Sequence, residues 1–315
     1  MPKTISNGVK RRLYWRASAI ALIATAGLAG AANAQDAGGF WLQFAGGINF
    51  DSGGGLDSLP ASSFIGGVAG DQKIKPRDDW DVDAKIGYQP HGSPWSVALG
   101  VKYGRTFGRS RDFSGTSAYG YYGVKTHAST NVSHAIVDFE VGRDVGMGRN
   151  PTTIGLGVRY AHFAGNTTGT FSTFYKSFDG DTFDTYSGAL QISRRTNVVG
   201  PRIFVNSSVP IATSHFAVGW GGDAAVLFGN TSIDGRAVFS DGYVEFSGRR
   251  SESITVPNVG AHLSLDYHLP STPALISLGY RIDAYFGAMD GGGDVERKVD
   301  IIQHGPYLSM IWRLQ

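Results

Sequence analysis

The 315-residue chain contains no cysteine. That excludes disulfide staples, thiolate metal sites and cysteine nucleophiles. Beyond residue 34 there is also no run of about 18 apolar residues, so helical membrane spans are excluded. No G-x-S-x-G, H-E-x-x-H or P-loop sequence occurs. Charge of one sign is scarce too. The full chain carries +2, and its first 34 residues hold five basic and no acidic residues, so the rest carries about −3. Such a balance is no signature of a nucleic-acid binder, and no nucleic-acid partner is expected.

What is present begins with a leader. Lys10, Arg11, Arg12 and Arg16 form a basic region, 17–29 is a short apolar run, and Ala32-Asn33-Ala34 supplies small residues for cleavage. This reads as a secretory signal peptide over 1–34, cut after Ala34. Arg11-Arg12 also fits a twin-arginine signal, but an ordinary basic region explains it as well.

The remaining 281 residues, 35–315, form one unit of alternating strands. In 79–89, Trp80, Val82, Ala84, Ile86 and Tyr88 share one face, and Asp81, Asp83, Lys85 and Gln89 share the other. Trp95, Val97, Leu99, Val101 and Tyr103 resume the rhythm after a Pro/Gly turn. Period-2 runs of this kind predict about ten strands, at 40–50, 79–89, 95–107, 131–145, 153–163, 196–207, 215–228, 256–269, 274–287 and 301–314. Further strand-like runs at 171–193 and 237–248 leave twelve possible or extend hairpins. Each predicted strand exceeds the usual length of about 5–6 residues and suits a tilted bilayer crossing of about 9–11.

The connections alternate. Short ones fall at 90–94, 146–152, 208–214 and 270–273, and long polar ones at 51–78, 108–130, 164–195, 229–255 and 288–300. Short periplasmic turns opposite long extracellular loops predict an all-β, antiparallel, up-and-down transmembrane barrel in the outer membrane. Its expected partners are outer-membrane lipid and, during biogenesis, the barrel-assembly machinery. Aromatic residues support two interfacial girdles. Trp41, Tyr88, Trp95, Tyr267 and Trp312 are expected near the periplasmic edge, and Trp80, Tyr103, Phe228, Tyr280 and Phe286 near the other. Trp80, Trp95, Trp220 and Trp312 are the expected tryptophan anchors.

Several segments carry a resemblance. DFEVGRDVGMG (138–148), GLGVRYAHF (155–163), VVGPRIFVNSSVP (198–210), GWGGDAAVLFG (219–229), VPNVGAHLSLDY (256–267) and LGYRIDAYFGAMDGG (278–292) resemble the Legionella major-outer-membrane-protein-like family. The resemblance implies a pore-forming outer-membrane barrel. It carries no motif that marks single pore residues, so none is transferred.

With apolar faces outward, the inward set is Asp81, Asp83, Lys85, Lys102, His134, Asp138, Glu140, Arg159, Arg202, Asp223, His262, Asp266, Arg281 and Asp283. Asp83 and Asp138 are expected level with Lys102 and Arg159 on the next strands. Two readings stay open: a charge-lined constriction for small hydrophilic solutes, or a paired network that plugs a narrow barrel. A third reading, a hydrolase at the extracellular rim, would use His127 and His162 with Asp179, Asp181 and Asp184. No enzyme, cofactor or metal is expected, since the eight histidines are scattered and the Asp-rich loops do not match a calcium-loop spacing.

Overall fold

The computed structural model describes residues 38–57, 73–76, 78–116, 122–146, 150–176, 182–212, 214–240, 244–292 and 298–314. The leader and Asp179 and Asp181 lie outside these. The elements are β1 (Gly39–Asp51), β2 (Leu56–Asp57), β3 (Lys73–Ile74), β4 (Asp79–Gln89), β5 (Trp95–Thr106), β6 (Arg109–Thr116), β7 (Tyr122–Asp144), β8 (Thr152–Lys176), β9 (Thr182–Pro210), β10 (Phe216–Phe239), β11 (Val244–His268), β12 (Ala274–Asp290) and β13 (Lys298–Leu314). All pairings are antiparallel and close a ring: β1, β4, β5, β7, β8, β9, β10, β11, β12, β13 and back to β1. β6 continues the line of β5 after a break at Phe107 and Gly108, and pairs with the upper part of β7. Among the described residues the ring has ten staves, and its closure leaves no open sheet edge around its girth.

Alternation explains which face is which. Along β4, Val82, Ile86 and Tyr88 are exposed, while Asp79 and Asp81 are buried. The same outward apolar band crosses every stave, from Phe40, Phe44 and Ile48 on β1 to Leu278, Tyr280 and Ile282 on β12 and Leu308 and Leu314 on β13. So many large exposed apolar side chains in one continuous band would be unstable in water, and are what a lipid-facing surface requires. Trp80 and Tyr103 stack edge to face at 6.0 Å near one edge of the band. Phe40 and Tyr88 lie 4.8 Å apart near the other. Trp95 is exposed beneath Arg143, and Trp312 follows Leu308 and Met310 on the outward face. Trp220 is the third of seven outward positions from Phe216 to Phe228, within the band and not at its edge.

Trp220 is thus no edge anchor, and two further expectations are corrected. Trp41 does not join a girdle, because it has the inward parity of β1. It lies over Gly87 inside the barrel, where an added Cβ would sit 2.2–2.5 Å from the indole ring. We expect Gly87→Ala to displace Trp41 and cost about 1–3 kcal/mol; tryptophan emission and a urea midpoint measure both effects. The connections expected at 164–195 and 229–255 are, in the second place, largely strand, so the strand-like runs at 171–193 and 237–248 extend hairpins and add no stave. β8, β9, β10 and β11 run on to Lys176, from Thr182, to Phe239 and from Val244. The 29 residues of β9 span about 95 Å along the strand, far more than the hydrocarbon core needs. Above the band their outward side chains become polar: Thr168, Gln191, Ser232, Asp234 and Ser253. Pairing persists there while hydropathic alternation stops, because water replaces lipid outside.

Candidate functional site

Inside the barrel, at the height of the outward band, five bases and a larger set of acids face one another. On one side, Arg159 of β8 donates from Nε and Nη2 to both oxygens of Asp138 on β7, at 2.7 and 2.8 Å. Its Nη1 donates to Asp223 of β10 at 2.9 Å and to Asn258 of β11 at 2.5 Å. Arg202 of β9 donates to Asp223 at 3.0 Å and to Glu140 of β7. Lys85 of β4 completes this group, 2.9 Å from both Glu140 oxygens. On the other side, Arg281 of β12 donates to Asp83 at 3.0 Å and to Asp81. Lys102 of β5 reaches Asp283 of β12 at 2.7 Å and lies 3.4 Å from Asp81. Between β12 and β4 stand β13 and β1, so these contacts brace the lumen across its width.

The register of Asp138 with Arg159 is also their ion pair. Asp83 lies opposite Lys102 in the ladder, yet their charges go elsewhere, Asp83 to Arg281 and Lys102 to Asp283. A narrow lumen lets long side chains reach across, so the nearest strand neighbour is not the partner. Asp266 stands apart near the short-turn end, accepting from Ser264 at 2.7 Å. His262 faces Tyr307 edge to face at 6.5 Å. A cavity of about 190 Å³ remains among these groups, lined also by Gln43, Asn206, Gly222 and Tyr285. It has room for several ordered waters or one small solute.

Reading the sequence missed part of this layer. Asn49 of β1 donates to Asp79 at 2.7 Å and to Asp81 at 2.8 Å, and Gln303 of β13 bridges Asp79 and His134. Asp79 shares the parity of Asp81 and Asp83, which was the available signal. The amides carry no charge and gave none.

Toward the long-hairpin end the lumen changes character. Ile136, Phe163, Val198, Leu227, Val256, Tyr285, Met289 and Ile301 form one buried apolar cluster inside the barrel, with Leu56 of β2 among them. Phe163 and Tyr285 meet edge to face at 5.0 Å. A hydroxyl layer follows, Thr130 with Thr167 at 3.0 Å and Thr196 with Thr231 at 2.8 Å. At the mouth, Lys298 pairs with Glu252, and its ammonium is held below its ordinary value by partial burial and the Arg250 cation.

The rim histidines do not converge. His127 lies 2.6 Å from Asp112, both exposed, and His162 pairs with Asn197. His127 lies opposite Thr170 in the ladder, eight residues up β8 from His162. A cavity of about 1070 Å³ opens beside His127, floored by Phe171 and Phe239. Among the described residues, no group of three or more His, Asp or Glu is placed to hold a metal ion.

The family described as Legionella pneumophila major outer membrane protein precursor matches residues 69–314. A search of curated proteins gives no match. Among solved structures, the chain is similar to the outer membrane protease OmpT from Escherichia coli, at 11% identity, covering 87% of this chain and 97% of that one, with a TM-score of 0.50. The β domain of the Bordetella autotransporter BrkA aligns at 10% identity, 89% and 100% coverage and a TM-score of 0.26. A mutant of the TodX monoaromatic hydrocarbon channel aligns at 8% identity, 88% and 91% coverage and a TM-score of 0.24. The likeness to OmpT is one of fold.

Proposed function

Since the chain belongs to the Legionella pneumophila major outer membrane protein family, we propose that this outer-membrane β-barrel forms a narrow pore for passive diffusion of small hydrophilic solutes. One observation carries the reading: the lumen at bilayer height is charged and encloses a cavity. Filling a barrel for stability alone calls for apolar side chains, because buried ion pairs cost desolvation and are often no better than a packed hydrophobic core. A polar, charge-lined chamber is what a hydrated solute needs to pass. Ten staves suit a small pore, between barrels of about 8 strands that side chains fill and those of about 16–18 that hold open channels.

The protein acts without a catalytic step or cofactor on this reading, and its partners are outer-membrane lipid and the assembly machinery that inserts it. Export would follow cleavage of the leader after Ala34. Refolded protein in planar bilayers is expected to give discrete current steps, and Arg281→Gln to change their size. Silence in both the wild type and Phe163→Ala would sink the reading.

A second reading is favoured by the apolar cluster, which narrows the lumen above the chamber. It makes the protein a closed barrel whose tall hairpins bind a ligand or partner without transport. Intact cells that bind a labelled surface ligand only when the hairpins are present, with bilayers silent, would select it.

A further inference from the structure

The extracellular edge of the outward band is not uniform. On β10, β12 and β1 it ends in the exposed rings of Phe228, Phe286 and Phe50. On β5, β7, β8 and β9 it ends in hydrogen-bond donors. Arg105 follows Tyr103 on the outward face of β5, opposite Trp80, and is exposed, 3.5 Å from Asn131 Oδ1. One ladder line joins it to a second base. Arg105 lies opposite Ser133 of β7, Ser133 opposite Ala164 of β8, and Ala164 opposite Arg195 of β9, which is also exposed. Three strand spacings put the two arginines about 14 Å apart, with only the small side chains of Ser133 and Ala164 between them. Among the described residues neither guanidinium forms an ion pair. Of the acids on this flank, Asp112 is held by His127 and Asp234 lies opposite Arg249.

The line two residues lower runs through Tyr103, Ala135, His162 and Asn197. It passes from apolar to polar, so the ladder climbs out of the lipid from β5 to β9. Asn197 Oδ1 accepts from the Tyr160 hydroxyl at 2.9 Å and from His162 Nδ1 at 2.8 Å, which leaves the amide nitrogen to donate elsewhere. One line lower again, Val137 lies between Val101 and Tyr160, within the band.

We propose that the outer face of β5, β7, β8 and β9 binds lipid A, the twice-phosphorylated, acylated disaccharide that anchors lipopolysaccharide in the outer leaflet. One phosphate sits on Arg105 and the other on Arg195. The two sugars lie over Ser133 and Ala164, and acyl chains run down over Ala135 and Val137 into the band. Arginine meets a phosphate with two parallel N–H donors. A phospholipid with a single phosphate cannot engage both bases. The site is continuous with the lipid-facing band, and it stands whether or not the barrel conducts.

Native mass spectrometry of the refolded barrel in detergent, titrated with purified lipid A, tests this. Wild type is expected to hold one molecule. Arg105→Gln and Arg195→Gln should each lower the affinity about ten-fold, and the double variant should lower it further, as loss of charge-assisted hydrogen bonds predicts. Ser133→Trp, which fills the saddle without changing charge, should weaken binding too. Arg249→Gln removes an exposed base elsewhere on the same wall and should change nothing. Lipid A stripped of one phosphate should bind wild type about as weakly as the intact lipid binds either single variant, and phosphatidylglycerol more weakly still. Equal affinity of wild type and the double variant overturns the site. Phosphatidylglycerol held as well as lipid A, or a loss in Arg249→Gln equal to the others, means unspecific charge attraction and overturns it too. Should the variants misfold, the wild type decides alone: equal binding of the one-phosphate and two-phosphate lipids overturns the proposal.

Discussion

Arg159→Ala is expected to destabilise the barrel by about 3–5 kcal/mol, the cost of leaving a buried charge network without one of its partners. The guanidinium is 5% exposed and holds four groups: Asp138 at both oxygens, Asp223, Asn258 and Tyr285. Removing it leaves two carboxylates, on β7 and β10, facing each other across β8 and β9 with less opposing charge. Lysine should rescue only partly, because an ammonium cannot grip Asp138 with two parallel bonds. Urea unfolding in detergent measures the loss, and a double-mutant cycle with Asp138→Ala separates the pair from the rest. A loss under about 1 kcal/mol would mean that water in the chamber already screens the network.

Phe163→Ala is expected to cost a similar amount, about 3–5 kcal/mol, by leaving a void in the buried cluster. Phe163 is fully buried, and its ring contacts Tyr285, the residue that also touches Arg159. The void would adjoin both the charged chamber and Leu56, so larger bilayer currents should accompany the lower urea midpoint. Phe163→Leu, which keeps most of the volume, should change both far less. Equal currents from wild type and Phe163→Ala would show that the apolar layer does not limit passage.

Much of this architecture was legible because lipid imposes a simple rule. Where one face meets hydrocarbon and the other a polar lumen, the sequence alternates, as in Trp80 to Gln89, and the parity that groups Asp81, Asp83 and Lys85 is the parity of the interior. Two regions broke that rule for physical reasons. In Ala225–Phe228 both faces are apolar, since Leu227 packs inside while Val226 and Phe228 face out, so no alternation remains to be read. Above the band both faces lose their contrast, and strands such as the upper part of β8 look like polar loop. Partner choice was illegible for another reason. Lys102 and Asp283 are separated by 181 residues and meet only because the ring closes.

That closure has its own consequence. Phe40 of β1 pairs with Leu314 of β13, so the first and last staves form the most non-local ladder among the described residues. The entropy of joining ends so distant must be met before this ladder contributes anything, which makes the final seam a slow step of assembly. Deleting either stave would yield no smaller cylinder. It would leave a curled ribbon with two bare, hydrogen-bond-hungry margins, ready to pair with another copy of itself.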